Sequence, residues 1–114
     1  MKRLTIDQTW EKTLAMWKWI SRQCLGKSVA WCGNNVTRLK EEWIERNDPE
    51  RADALTYHAD CYFCKYDSSE YCVRCPAKIV DKGFSCHNPK YYYGDYPRLF
   101  YAELKRLNKI RLGR

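Results

Sequence analysis

The residue types best placed to do chemistry are two cysteine pairs, Cys61-Tyr62-Phe63-Cys64 and Cys72-Val73-Arg74-Cys75, separated by seven residues. Each pair offers two thiolates from one tight turn, and the spacer is long enough to fold one pair back onto the other around a tetrahedral ion. Four sulfur donors suit Zn2+, whose binding in a small domain contributes about 10 kcal/mol or more, largely as folding energy. One structural zinc on Cys61, Cys64, Cys72 and Cys75 is the expectation. A closed structural site takes four donors, so Cys86, His58 and His87 stand as alternates to members of that set. Tyr62, Phe63, Tyr66 and Tyr71 are expected to cover the sulfurs and join them to the rest of the fold.

Catalytic arrangements fare less well. A zinc deaminase needs His-x-Glu and then Pro-Cys-x-x-Cys, whereas here His58-Ala59-Asp60 has the wrong acid and Pro76 follows the second pair. A zinc-braced nuclease of the His-Asn-His type is closer, since His87-Asn88 is suitable chemistry, but the chain has two histidines and no Asp-His base context. Leu25-Gly26-Lys27-Ser28 resembles the end of a phosphate loop, yet the glycine required upstream falls at Ser21, within a helical pattern. Adjacency of Cys86 and His87 does not by itself bring an imidazole to the sulfur. The expectation is a binding protein without enzymatic activity, with the nuclease kept as an alternative.

Binding is favoured by charge and by surplus rings. The net charge is +7, and 15% of the residues are aromatic. By segment the charge is +4 over 1–34, −3 over 35–60, +1 over 61–97 and +5 over 98–114, so both ends are basic. Arg98, Lys105, Arg106 and Lys109 form a basic stripe and are the candidate nucleic-acid contacts, with the run Tyr91-Tyr92-Tyr93-Gly94-Asp95-Tyr96 able to stack bases. The competing reading is an inhibitor or adaptor of a host protein, from defence or from replication or transcription machinery, gripped by exposed rings, for which Trp19, Trp31, Tyr92 and Tyr93 are the candidates. A solvated basic face and tyrosines packed beside a zinc knuckle are the plainer explanations of the same residues.

These groups need elements to position them. Thr5 with Gln8 is a capping box, and Trp10, Leu14, Trp17 and Cys24 recur at helical spacing until Leu25-Gly26, which predicts a helix over 7–24. Trp19 points away from that stripe. Val36, Leu39, Trp43 and Ile44 predict a second helix starting after Asn34-Asn35 and ending near Asn47. Asp48-Pro49-Glu50 restarts the chain, with a helical turn from Arg51 to about Tyr57. A last helix is expected from Tyr96-Pro97 to about Arg111, burying Phe100, Leu104 and Leu107.

At 114 residues with 45% apolar content, the chain fits one domain with its own core. The fold class expected is mainly α, with a small α+β arrangement as the alternative. Residues 1–47 form a Trp-rich helical part, 57–96 a metal-binding segment, and 97–112 a basic C-terminal helix, with the zinc knuckle packed between the first and last parts. All five tryptophans precede residue 44 and all nine tyrosines lie at 57 or later, which marks the internal boundary near Asp48-Pro49. No apolar run reaches membrane-span length and the first residues carry charges where a secretory signal is apolar, so a cytoplasmic protein without membrane contact is expected.

The strings Cys61-Tyr-Phe-Cys64-Lys-Tyr, Cys72-x-x-Cys75-Pro76, Phe84-x-Cys86-x-Asn88-Pro89-x-Tyr91 and Pro97-x-x-Phe100-Tyr101 together resemble small cysteine-rich proteins of bacteriophages. The resemblance covers about residues 57–110. It implies a metal-bound fold and a bacterial host cytoplasm, and no particular activity.

Overall fold

The computed structural model describes residues 4–51, 62–63, 75–86 and 88–113. Helix α1 (Ile6–Gln23) opens on the expected capping box: Thr5 Oγ1 accepts from the Gln8 N–H at 3.1 Å, and Gln8 Oε1 accepts from the Thr5 N–H at 2.9 Å. It closes at Cys24, and Gly26 turns the chain at φ +75°, a backbone setting that favours glycine. Its inward face carries Trp10, Met16, Trp17 and Ile20, and between them the buried Thr9 and Thr13 hydroxyls donate to the carbonyls of Thr5 and Thr9. Back-bonding of this kind lets a polar residue sit in the core without an orphaned hydroxyl.

Helix α2 (Val29–Asn47) begins seven residues before the expected Val36. Ser28 caps it, its Oγ accepting from the Trp31 N–H at 3.0 Å, and Asn34-Asn35, after which the helix was expected to start, lie inside it. After Asp48 comes a single 3-10 turn, Pro49–Arg51, and the rest of the turn expected to reach Tyr57 lies outside the described residues. A short helix α3 (Pro76–Val80), with proline in its first turn, was not anticipated. Helix α4 (Pro97–Arg111) has the expected bounds, with Tyr96 at its cap and Pro97 pre-set for the first turn.

Helix α4 packs along α1, and the two run antiparallel. The start of α4 meets the end of α1 through Phe100 edge-on to Trp17 at 4.9 Å between ring centroids, while at the other end Arg111 Nη1 lies 2.6 Å from Asp7 Oδ1. Helix α2 folds back on α1, and α3 lies against α4. Phe100, Leu104 and Leu107 are buried, as the periodicity of α4 predicted. The indole N–H groups of Trp10 and Trp17 are buried with no partner among the described residues, at a cost of about 1–3 kcal/mol each. Edge-on ring packing offsets that cost.

All regular elements among the described residues are helices, in agreement with the mainly α expectation. The Cα radius of gyration, 13.4 Å, matches the roughly 13 Å of one compact globule of this length. Among the described residues no helix is long and apolar enough to cross a membrane.

Candidate functional site

The antiparallel packing of α4 on α1 leaves its first turns beside the α1–α2 turn, and a cleft of about 630 Å3 opens between them. Lys27 stands on the α1–α2 side, and Arg98 and Lys105 stand on the α4 side. Arg98 and Lys105 share a face because seven residues make nearly two helical turns. Tyr96 and Tyr101 contribute rings, Val29 and Leu99 contribute aliphatic surface, and Asp95 is the one carboxylate among the described lining residues.

Among the described residues, the two lysines of the cleft are held by rings and not by acids. Lys27 Nζ lies 5.1 Å from the centroid of Trp31, and Lys105 Nζ lies 4.7 Å from that of Tyr101. Such contacts orient an ammonium while leaving its charge unneutralised. No ion pair among the described residues involves Lys27, Arg98 or Lys105.

Cys24 and Cys32 line the cleft and are buried, the Cys32 thiol donating to the Cys24 carbonyl at 3.9 Å. Burial pushes the Cys24 thiol up to about 12, the Cys32 side chain adds to the rise, and Arg98 opposes it. A thiol that stays protonated is a poor nucleophile, so Cys24 serves as cleft floor at neutral pH.

The other members of the predicted stripe divide. Arg106 pairs with Glu103 and with Asp81 Oδ2 at 3.0 Å, which takes it away from the cleft. The Gly83 N–H and then Arg106 hold the Asp81 carboxyl below its usual range. Lys109 is exposed on the Arg98/Lys105 face beyond the cleft lining.

The four rings proposed as partner contacts are half-buried. Trp19 and Trp31 pack against the core, and Tyr93 is edge-on to Trp17 at 5.8 Å and to Tyr92 at 4.9 Å. Tyr92 and Tyr93 also line a smaller cleft of about 340 Å3 beside the first turns of α2. Sequence reasoning missed Lys27 and Asp95 as neighbours of Arg98; Lys27 drew notice only through a failed phosphate-loop match, and nothing local linked it to α4.

Of the candidate metal ligands, Cys61, Cys64, Cys72, His58 and His87 lie outside the described residues. Cys75 is buried at the cap of α3, and Cys86 is half-buried with its carbonyl accepting from the Tyr93 N–H at 3.5 Å. Among the described residues no three His, Cys, Asp or Glu gather as a metal site. The two residues inside the first cysteine pair are core anchors, each 2% exposed: Phe63 is edge-on to Trp10 at 4.7 Å and Tyr62 is edge-on to Trp43 at 6.2 Å. These two rings thus contact both long helices, while the sulfurs of Cys61, Cys64 and Cys72 that they were expected to cover lie outside the described residues.

No family model matches the chain, and neither does any curated protein or solved structure.

Proposed function

We propose that this chain is a non-enzymatic binding module for nucleic acid, with the cleft between the α1–α2 turn and α4 as its contact surface and one structural zinc on Cys61, Cys64, Cys72 and Cys75 bracing the middle segment. What supports it is the convergence of Lys27, Arg98 and Lys105, from segments far apart in sequence, on one cleft that also carries Tyr96 and Tyr101. Three cations without acidic partners among the described residues suit an anion, since each contact with a phosphate releases a condensed counterion. Rings beside them add the stacking surface that nucleic-acid sites use. The described lining contains no histidine and one carboxylate, which fits binding better than acid–base chemistry. The resemblance to small cysteine-rich phage proteins makes an infected bacterial cytoplasm the setting for this role.

The test is fluorescence anisotropy of a labelled oligonucleotide over a salt series, comparing wild type with Arg98→Ala/Lys105→Ala. The double variant should bind more weakly and reduce the magnitude of the salt slope by about 1–2. Unchanged affinity and slope in a variant with native circular dichroism would remove nucleic acid from this cleft.

A further inference from the structure

Resting on the reading just given, we infer that the cleft takes a single strand, with one unstacked base seated inside and its phosphates on the flanking cations, and that Asp95 selects bases bearing an exocyclic amino group. The shape argues first. A duplex is a convex cylinder, read by an element that stands proud and enters a groove about 12 Å wide. The first turns of α4 do not stand free, because Lys27 and Val29 of the α1–α2 side line the same cleft as Arg98 and Leu99. A flexible strand enters such a cleft where a duplex does not.

Surface chemistry argues second. Leu99 is 53% exposed, Val29 51% and Tyr96 38%, and all three line the cleft. Phosphates gain nothing from that apolar surface, whereas a base stacked on Tyr96 and covered by Leu99 and Val29 removes it from water. The ligand that uses both features has anionic groups and a flat, largely apolar one within a few ångströms of each other, as a nucleotide in a single strand does.

Asp95 argues third. A carboxylate in a phosphate cleft opposes binding unless it has another task; Asp95, which also lines the smaller cleft and has Oδ1 3.3 Å from where a Cβ of Gly33 would stand, has no ion-pair partner among the described residues. Acids in nucleic-acid sites accept from exocyclic amino groups, typically N4 of cytosine. Thymine presents a carbonyl oxygen at the same position, which Asp95 repels. Both pyrimidines have the same ring and differ at position 4 and in thymine's 5-methyl group, so loss of the preference in Asp95→Asn assigns it to the acid.

The experiment is competition anisotropy with oligodeoxycytidine, oligodeoxythymidine and a mixed-sequence duplex, each of about twelve nucleotides or base pairs. Wild type should bind oligodeoxycytidine about tenfold more tightly than the duplex and several-fold more tightly than oligodeoxythymidine. Tyr96→Ala should weaken single-strand binding about tenfold while Tyr96→Phe retains it, since stacking needs the ring and not the hydroxyl. Asp95→Asn should erase the preference for cytosine, because an amide donates as well as accepts. Equal affinity for strand and duplex, or a cytosine preference that survives Asp95→Asn, overturns this inference and leaves nucleic-acid binding standing. Failure to bind any of the three by a folded wild type overturns both, and capture of an acidic, aromatic peptide under the same conditions would reassign the cleft to a protein partner.

Discussion

The Tyr62 hydroxyl donates to Asp48 Oδ2 at 2.9 Å, linking the inside of the first cysteine pair to the residue that ends α2. Asp48 is only 5% exposed and also receives Arg51 Nη1 at 2.9 Å and Lys12 Nζ from α1 at 3.5 Å. A buried carboxylate is tolerated when several donors share it, so three segments meet at this one side chain.

Tyr62→Phe should therefore cost about 2 kcal/mol, the value of a hydrogen bond to a charged group lost without loss of packing. Asp48→Ala should cost more, about 3 kcal/mol, because it strands Tyr62, Lys12 and Arg51 together. Urea unfolding with an unchanged slope measures both, and equal costs would show that Asp48 is not the shared acceptor.

The start of α2 shows where sequence reasoning stops. Helix α4 was legible because Pro97 sets its first turn and Phe100, Leu104 and Leu107 keep one face, both local signals. Gly33 is a glycine for a reason that is not local: a Cβ there would stand 3.0 Å from the Gly94 carbonyl oxygen, across the gap to the loop before α4. Close approach, not a helix break, explains the residue. The cleft was hidden in the same way, since Lys27 and Arg98 meet only once α4 lies antiparallel on α1. Residues paired within one turn, such as Thr5 with Gln8, were readable, and residues paired by topology were not.

Two substitutions one position apart test that account. Asn34 is exposed within α2, so Asn34→Ala should stabilise by about 0.5 kcal/mol through helix propensity. Gly33→Ala gains about 1 kcal/mol of propensity in open space, but here its methyl meets backbone, and the net effect should be destabilising by about 1 kcal/mol. Thermal unfolding decides. Stabilisation by both would mean that the loop does not approach α2 so closely.

Stability should fall at alkaline pH. The folded protein keeps the Cys24 proton until about pH 12, whereas the unfolded chain releases it near its ordinary 9.0. Tyr62 acts in the same sense, raised by burial and then by its hydrogen bond to Asp48. Because the folded state holds more protons, the contribution of Cys24 is complete below about pH 9 and is lost as the pH rises toward 12. Between pH 9 and 10 the loss from Cys24 is about 1 kcal/mol, before tyrosine contributes fully. Urea midpoints for wild type and Cys24→Ala over that interval should diverge in slope, the variant being flatter. Parallel slopes would mean that Cys24 titrates normally in the fold.

The zinc proposal has a spectroscopic consequence that follows from Tyr62 and Phe63. These residues lie between Cys61 and Cys64 in the chain and pack edge-on against Trp43 and Trp10, so a metal on the flanking thiolates holds two rings against two indoles. Purified protein should contain one zinc per chain, and cobalt in its place should give the intense thiolate charge-transfer absorption of tetrahedral sulfur ligation. Cys64→Ser should lose the metal and shift tryptophan emission to the red as Tyr62 and Phe63 leave Trp43 and Trp10. Cys24→Ser should keep the metal, since that thiol belongs to the cleft floor. Zinc-free wild type with unaltered emission and thermal midpoint would show that the paired cysteines are not a metal site, and retention of zinc by Cys64→Ser would transfer the fourth donor to Cys86 or a histidine.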